Sequence, residues 1–261
     1  MSVSGSARPR PLRHALADFA WNVVLLVLLV LVLTALAGIV WALLAGVAAA
    51  MRGEDVAAAL RSTPVLAMLA ITVFGMAASA VSMYLLRRPA SATERALSCA
   101  RARQPRTWLL AAGVGAGLFL SVTAITVLAR KLGVAPDPAN LALIRQAWAS
   151  NPILLGLFVI VLAPLYEELL FRRVLFGRLW DAGWPWLGML SSGLVFALAH
   201  ELLSLFRDAS PGAFLLLALY MSMGVVFAWL YRRTGTLWAP ILAHAVNNAL
   251  ALAVATATLN G

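Results

Sequence analysis

Four ionisable side chains fall inside long apolar runs of this sequence: Glu167, Glu168, His200 and His244. A base for water, donors for an oxyanion and a scaffold that holds both in place are the parts that acid–base chemistry on a bound water needs. Glu168 and Arg172 are four residues apart in Pro164-Leu165-Tyr166-Glu167-Glu168-Leu169-Leu170-Phe171-Arg172. They therefore share one helix face and can pair on it. Glu167 lies about 100° round the same helix and cannot easily use that arginine. An unpaired carboxyl in a low dielectric suits a general acid or base. Pro164 removes a backbone donor one turn earlier and loosens the helix where water would enter.

A second block is Phe196-Ala197-Leu198-Ala199-His200, and a third is His244-Ala245-Val246-Asn247-Asn248. His244 and Asn248 also share a face, and imidazole beside carboxamide offers donors to an oxyanion. His200 with Glu167 could hold and deprotonate a water. Alternatively Glu167, His200 and His244 are an adequate zinc donor set. His200-Glu201-Leu202-Leu203-Ser204 opens like HExxH but ends in serine, so the soluble zinc-protease motif is missing.

The elements that carry these blocks must be membrane helices. The chain has 261 residues, 63% hydrophobic and 11% charged, with a formal net charge of +10. Too few polar residues are present to cover a water-facing surface, which excludes soluble enzymes and disordered tails. The single Cys99 excludes an intramolecular disulfide. Charge-free runs of 33, 25, 23, 21, 19 and 23 residues, then an acid- and base-free C-terminus after Arg233 broken only by His244, predict seven spans. The third starts near Trp108 and the last near Leu237.

Alternating those spans from a cytoplasmic N-terminus puts 14 of the 20 Lys and Arg inside and 6 outside. That bias predicts the N-terminus in and the C-terminus out. The positive charge then reads as topology and contact with anionic lipid, not as a nucleic-acid footprint. Arg87–Arg106 becomes a cytoplasmic loop and Val134–Asn140 an outer turn. Arg8 to Arg13, an apolar run and Ala35-Leu36-Ala37 mimic a cleavable secretory signal. The run continues to about Ala50, however, which favours an uncleaved first span.

EExxxR, FxxxH and HxxxN, in this order on successive membrane helices, closely resemble the CPBP family. That family includes the type II CAAX prenyl endopeptidases and the lysostaphin-resistance protein A-like proteins. The resemblance covers roughly residues 152–252, and it implies that Glu167 and His200 position and activate water. It further implies that His244 and Asn248 bind the oxyanion while Glu168 and Arg172 support the site. Arg173 departs from many relatives, which carry glycine there.

The expectation is an all-α polytopic membrane protein with a three-helix scaffold over residues 1–150 and a catalytic membrane domain over 152–252. Its function would be that of an intramembrane endopeptidase, with lipid around it and membrane proteins or hydrophobic peptides as substrates. The cofactor is either zinc or another divalent metal on Glu167, His200 and His244, or none. Two other classes share the polar cluster: a non-catalytic binding protein such as a bacteriocin immunity factor, and a proton-coupled transporter. Nineteen Arg against one Lys suggest a GC-rich bacterial source and so a plasma membrane.

One register does not close. Glu167 would lie ~8 Å from the inner end of span four and His244 ~10–12 Å in, whereas His200 would lie ~24 Å in if span five begins at Trp184. Residues 173–190 are therefore expected to run along the inner interface, with span five starting near Ser191.

Overall fold

A computed structural model describes residues 9–138 and 141–259, all helices and turns, with no strand among the described residues. Arg8 and Asn140, which entered the charge count and the outer turn above, lie outside them. The helices are α1 (Leu12–Met51), α2 (Val56–Arg61), α3 (Val65–Arg87), α4 (Ala92–Ala102) and α5 (Pro105–Lys131). They continue with α6 (Leu141–Ser150), α7 (Pro152–Asp181), α8 (Pro185–Arg207), α9 (Pro211–Thr234) and α10 (Trp238–Leu259). Seven of these, all but α2, α4 and α6, are long and apolar enough to cross a membrane. The chain is a multi-pass membrane protein.

Local chemistry sets the helix ends. Pro105, Pro152, Pro185 and Pro211 each sit in a first turn, where the missing N–H costs nothing. Ser91 and Glu94 close a capping box on α4. Gly235 ends α9 in the left-handed region at φ 65°, and a side chain there would also strike the Arg101 guanidinium. α8 and α9 cross most closely where Gly193 meets Gly224: a Cβ on Gly224 would come within 2.7 Å of the Gly193 Cα. Small residues at such a crossing let two membrane helices approach backbone to backbone.

α7 is the central element, packed against α3 on one side and α8 and α10 on the other. It is an unbroken helix, but Leu157–Leu162 and Glu168–Phe176 are wound as π-helix. Such widened turns concentrate at functional sites.

The expected interfacial stretch over residues 173–190 is not found. α7 continues as helix to Asp181, and after a short turn with Gly183 at φ 89° α8 begins at Pro185 rather than near Ser191. The register closes for a different reason. Fourteen residues separate Glu167 from Asp181 and fifteen separate Pro185 from His200. At 1.5 Å per residue both arms of the hairpin are ~21–23 Å long, so the two side chains meet.

The arginines after Glu168 do not end the helix. Arg172, Arg173 and Arg178 stay within α7 because each finds a carboxylate. Arg172 pairs with Glu168, Arg173 with Glu94 of α4, and Arg178 with Asp18 of α1. Asp18 also takes Arg87 of α3, and Arg88 pairs with Asp181. These bridges tie α1, α3 and α4 to the lower half of α7.

Candidate active site

Three helices converge on one buried point. Glu167 and Glu168 come from α7, His200 from α8, and His244 with Asn248 from α10. Glu168 and Arg172 form the foundation, both side chains wholly buried. Arg172 Nη2 donates to Glu168 Oε1 at 3.2 Å, and its Nε lies 2.8 Å from Oε2, off the hydrogen-bond direction. The guanidinium is also sandwiched by aromatic rings, 4.7 Å from the Phe196 centroid and 5.4 Å from that of Phe227. Paired charge and π-faces together compensate for the loss of water around it.

Glu168 reaches further. His244 Nδ1 lies 3.0 Å from its Oε1. A carboxylate paired with arginine only accepts, so the His244 proton on that bond sits on Nδ1. The Phe227 ring stacks on this imidazole at 5.0 Å and 18°. His200 is oriented similarly: its Nδ1 lies 2.8 Å from the Phe196 carbonyl, which again only accepts. Tyr220 of α9 stacks on the other imidazole at 4.7 Å and 20°.

Both rings consequently aim Nε2 at Glu167. Its Oε2 lies 3.9 Å from each Nε2, too far for a direct hydrogen bond, and has no hydrogen-bond partner although it is buried. The neutral tautomers set by Phe196 and Glu168 make both Nε2 atoms acceptors. Three acceptors thus face one another.

Two imidazoles and a carboxylate, each histidine held by an acceptor on its far nitrogen, are the right donor types for a divalent metal. The spacing does not match. Among the described residues no group of three His, Cys, Asp or Glu stands close enough to hold an ion.

Asn248 is engaged differently from its sequence expectation. Its amide donates to the Val159 carbonyl of α7 at 2.9 Å, and its oxygen accepts from Asn247. One amide hydrogen is left over. Arg173, where many relatives have glycine, holds Glu94 through two bonds of 2.9 and 3.0 Å and makes no hydrogen bond to any of the seven motif side chains. That bond, against the opposing effect of partial burial, holds the Glu94 carboxyl down at about 2.

Sequence reasoning missed Tyr220 and Phe227. They are seven apart on α9 and so lie on one face, spaced like the two imidazoles they stack against. The π-helical winding carried no sequence signal beyond Pro164.

Residues 149–250 match the model of the Rce1-like, type II CAAX prenyl endopeptidase family. The chain is 31% identical over 116 residues to the Bacillus subtilis (strain 168) protein named "Putative membrane peptidase YdiL". It is 33% identical over 121 residues to the Staphylococcus aureus (strain USA300) protein named "Membrane-embedded CAAX protease MroQ". Each match covers 44% of this chain and 43% of the relative, so less than half of either relative is spanned. No solved structure shows a significant match. The family region begins just before α7 and contains all three motifs.

Proposed function

We propose that this chain is an intramembrane endopeptidase that cleaves membrane-associated proteins or peptides with a water activated by Glu167 and His200. The observation that carries the reading is the buried Glu167 Oε2 facing two oriented Nε2 atoms at 3.9 Å each. A water in that span would donate both its protons to this ring of acceptors.

Glu167 takes one proton as the water oxygen attacks the scissile carbonyl carbon, whose π-electrons move to the oxygen. His244 Nε2 takes up one proton from solvent before the attack and returns it on product release, so it meets the oxyanion as an imidazolium whose charge Glu168 balances through Nδ1. The remaining Asn248 amide hydrogen adds a second donor. Glu167 then passes its proton to the departing nitrogen as the C–N bond breaks, which leaves a carboxylic acid and an amine. Glu168 and Arg172 touch no reacting atom in this scheme; they position His244.

Residues 152–252 make up the catalytic unit in this reading, with 1–150 as its scaffold. The N-terminus lies on the cytoplasmic side, the side reached by the basic end of α7. The names of the two bacterial relatives and the family model support a peptide bond as the target.

The test is mass spectrometry of new peptide termini in membranes of cells that express the protein. Termini present with the wild type should disappear with Glu167→Gln, His200→Ala and His244→Ala at equal protein levels. Retention of all of them by Glu167→Gln would overturn the assignment. Metal content measured on the same purified protein shows whether an ion travels with the donor set.

A further inference from the structure

Behind α7, on the side away from Glu167 and the two histidines, lies a cleft of about 700 Å³ between α3, α4 and α10. None of the catalytic candidates lines it. Its walls divide by chemistry. One stretch is apolar, with Val73 and Ala77 of α3, Leu165 and Leu169 of α7 and Ile241 of α10. The other end is closed by α4 and is dense in arginine.

The arginines there are of two kinds. Arg88 and Arg173 are matched by Asp181 and Glu94. Arg95 and Arg101 have only backbone carbonyls as partners, Ala90 at 2.6 Å and Gly235 at 3.1 Å. Each keeps most of its five donors, and no carboxylate among the described residues balances either charge. Both line the cleft.

An apolar slot with two unbalanced guanidinium groups at one mouth is shaped for an amphiphile: a hydrocarbon tail with an anionic head. In a membrane helix bundle the available molecule of that chemistry is an anionic phospholipid. We infer that this cleft binds one anionic phospholipid, its phosphate on Arg95 and Arg101 and an acyl chain between α3 and α7. Arg95 sits one residue after Glu94, and Glu94 grips α7 through Arg173. A lipid head on α4 therefore braces the helix that carries Glu167 from its rear face. The inference stands on the cleft alone and does not depend on the proteolytic reading.

The experiment uses the full chain in detergent, with binding of phosphatidylglycerol and phosphatidylcholine measured by native mass spectrometry and by the shift in Tm. Phosphatidylglycerol should bind and raise Tm, and phosphatidylcholine should not. Arg95→Gln with Arg101→Gln should weaken phosphatidylglycerol binding about 25-fold, from about a factor of five per arginine. Ala77→Phe, which fills the tail slot and leaves the arginines, should weaken it as well. Arg103→Gln with Arg106→Gln, outside the cleft, should leave binding unchanged and so separates this site from general attraction to basic residues.

Four results would overturn the inference. They are equal binding of both lipids, equal loss in the Arg103/Arg106 pair, the same Tm rise from glycerol phosphate alone, and displacement of the lipid by a hydrophobic peptide only when its C-terminal carboxylate is free. The third would mark a bare phosphate site and the fourth a peptide site.

Discussion

The Asn248 side-chain amide donates to the Val159 backbone carbonyl, joining α10 to α7 at 2.9 Å. The reason lies five residues on. In the π-helical turn before Pro164 the Ala163 N–H reaches back to Phe158, so the next carbonyl in that register, Val159, faces Pro164. Proline has no N–H to give. Asn248 fills the vacancy left in the ladder and is itself fixed by doing so.

Two variants test this. Asn248→Ala should lower both Tm and the rate of appearance of cleaved termini, because it leaves a carbonyl without a partner in a dry helix. Pro164→Ala restores a backbone donor for Val159 and should soften the Tm cost of Asn248→Ala. The two changes should couple by about 0.5–3 kcal/mol in a double-mutant cycle. Strict additivity would mean that Asn248 meets only the substrate.

The adjacent glutamates should separate cleanly. Glu167→Gln changes a carboxylate whose Oε2 makes no hydrogen bond in the fold, so Tm should hold while cleavage falls about 10²–10⁴-fold, the usual worth of a general base. Glu168→Gln strips the counter-charge from the fully buried Arg172. Breaking a buried pair in this way costs about 3–5 kcal/mol, which thermal melting in detergent would register as a large loss of folded protein.

Tyr220 bears on His200 through its ring, stacked at 4.7 Å, and its hydroxyl plays no part in that contact. Tyr220→Phe should therefore keep cleavage near wild type. Tyr220→Ala should reduce the rate with a smaller effect on Tm, since the imidazole then keeps the Phe196 carbonyl and ring on one side but loses the stacked face opposite the site.

Local relations at this site were legible in the sequence, and distant ones were not. Glu168 with Arg172 was visible because a helix brings residues four apart together whatever surrounds it. The meeting of Glu167 with His200 depends on how far α7 runs, and that depends on Arg173 and Arg178 finding Glu94 and Asp18. Those partners lie 79 and 160 residues away. Nothing local distinguishes an arginine that ends a helix from one paired across a bundle. Asn248 stood out in the sequence as the partner of His244 on one face, but its bond to Val159 required the π-turn, which no residue pattern predicted.

Glu94 lies on α4, outside the spanning helices, and its carboxyl titrates at about 2 against an ordinary 4.5 because Arg173 binds its charged form. A depressed value stabilises the fold wherever the group is ionised in both states, so the benefit is complete above pH 4.5 and disappears as the pH falls towards 2. Tm of the wild type should therefore drop through that window. Glu94→Gln should start lower at pH 7, since Arg173 loses its counter-charge, and should show a shallower decline between pH 5 and 2. The carboxylate is 44% exposed, so the difference should shrink in high salt. Parallel Tm curves for the two proteins from pH 7 to pH 2 would show that the Arg173 bridge does not hold α4 to α7 in solution.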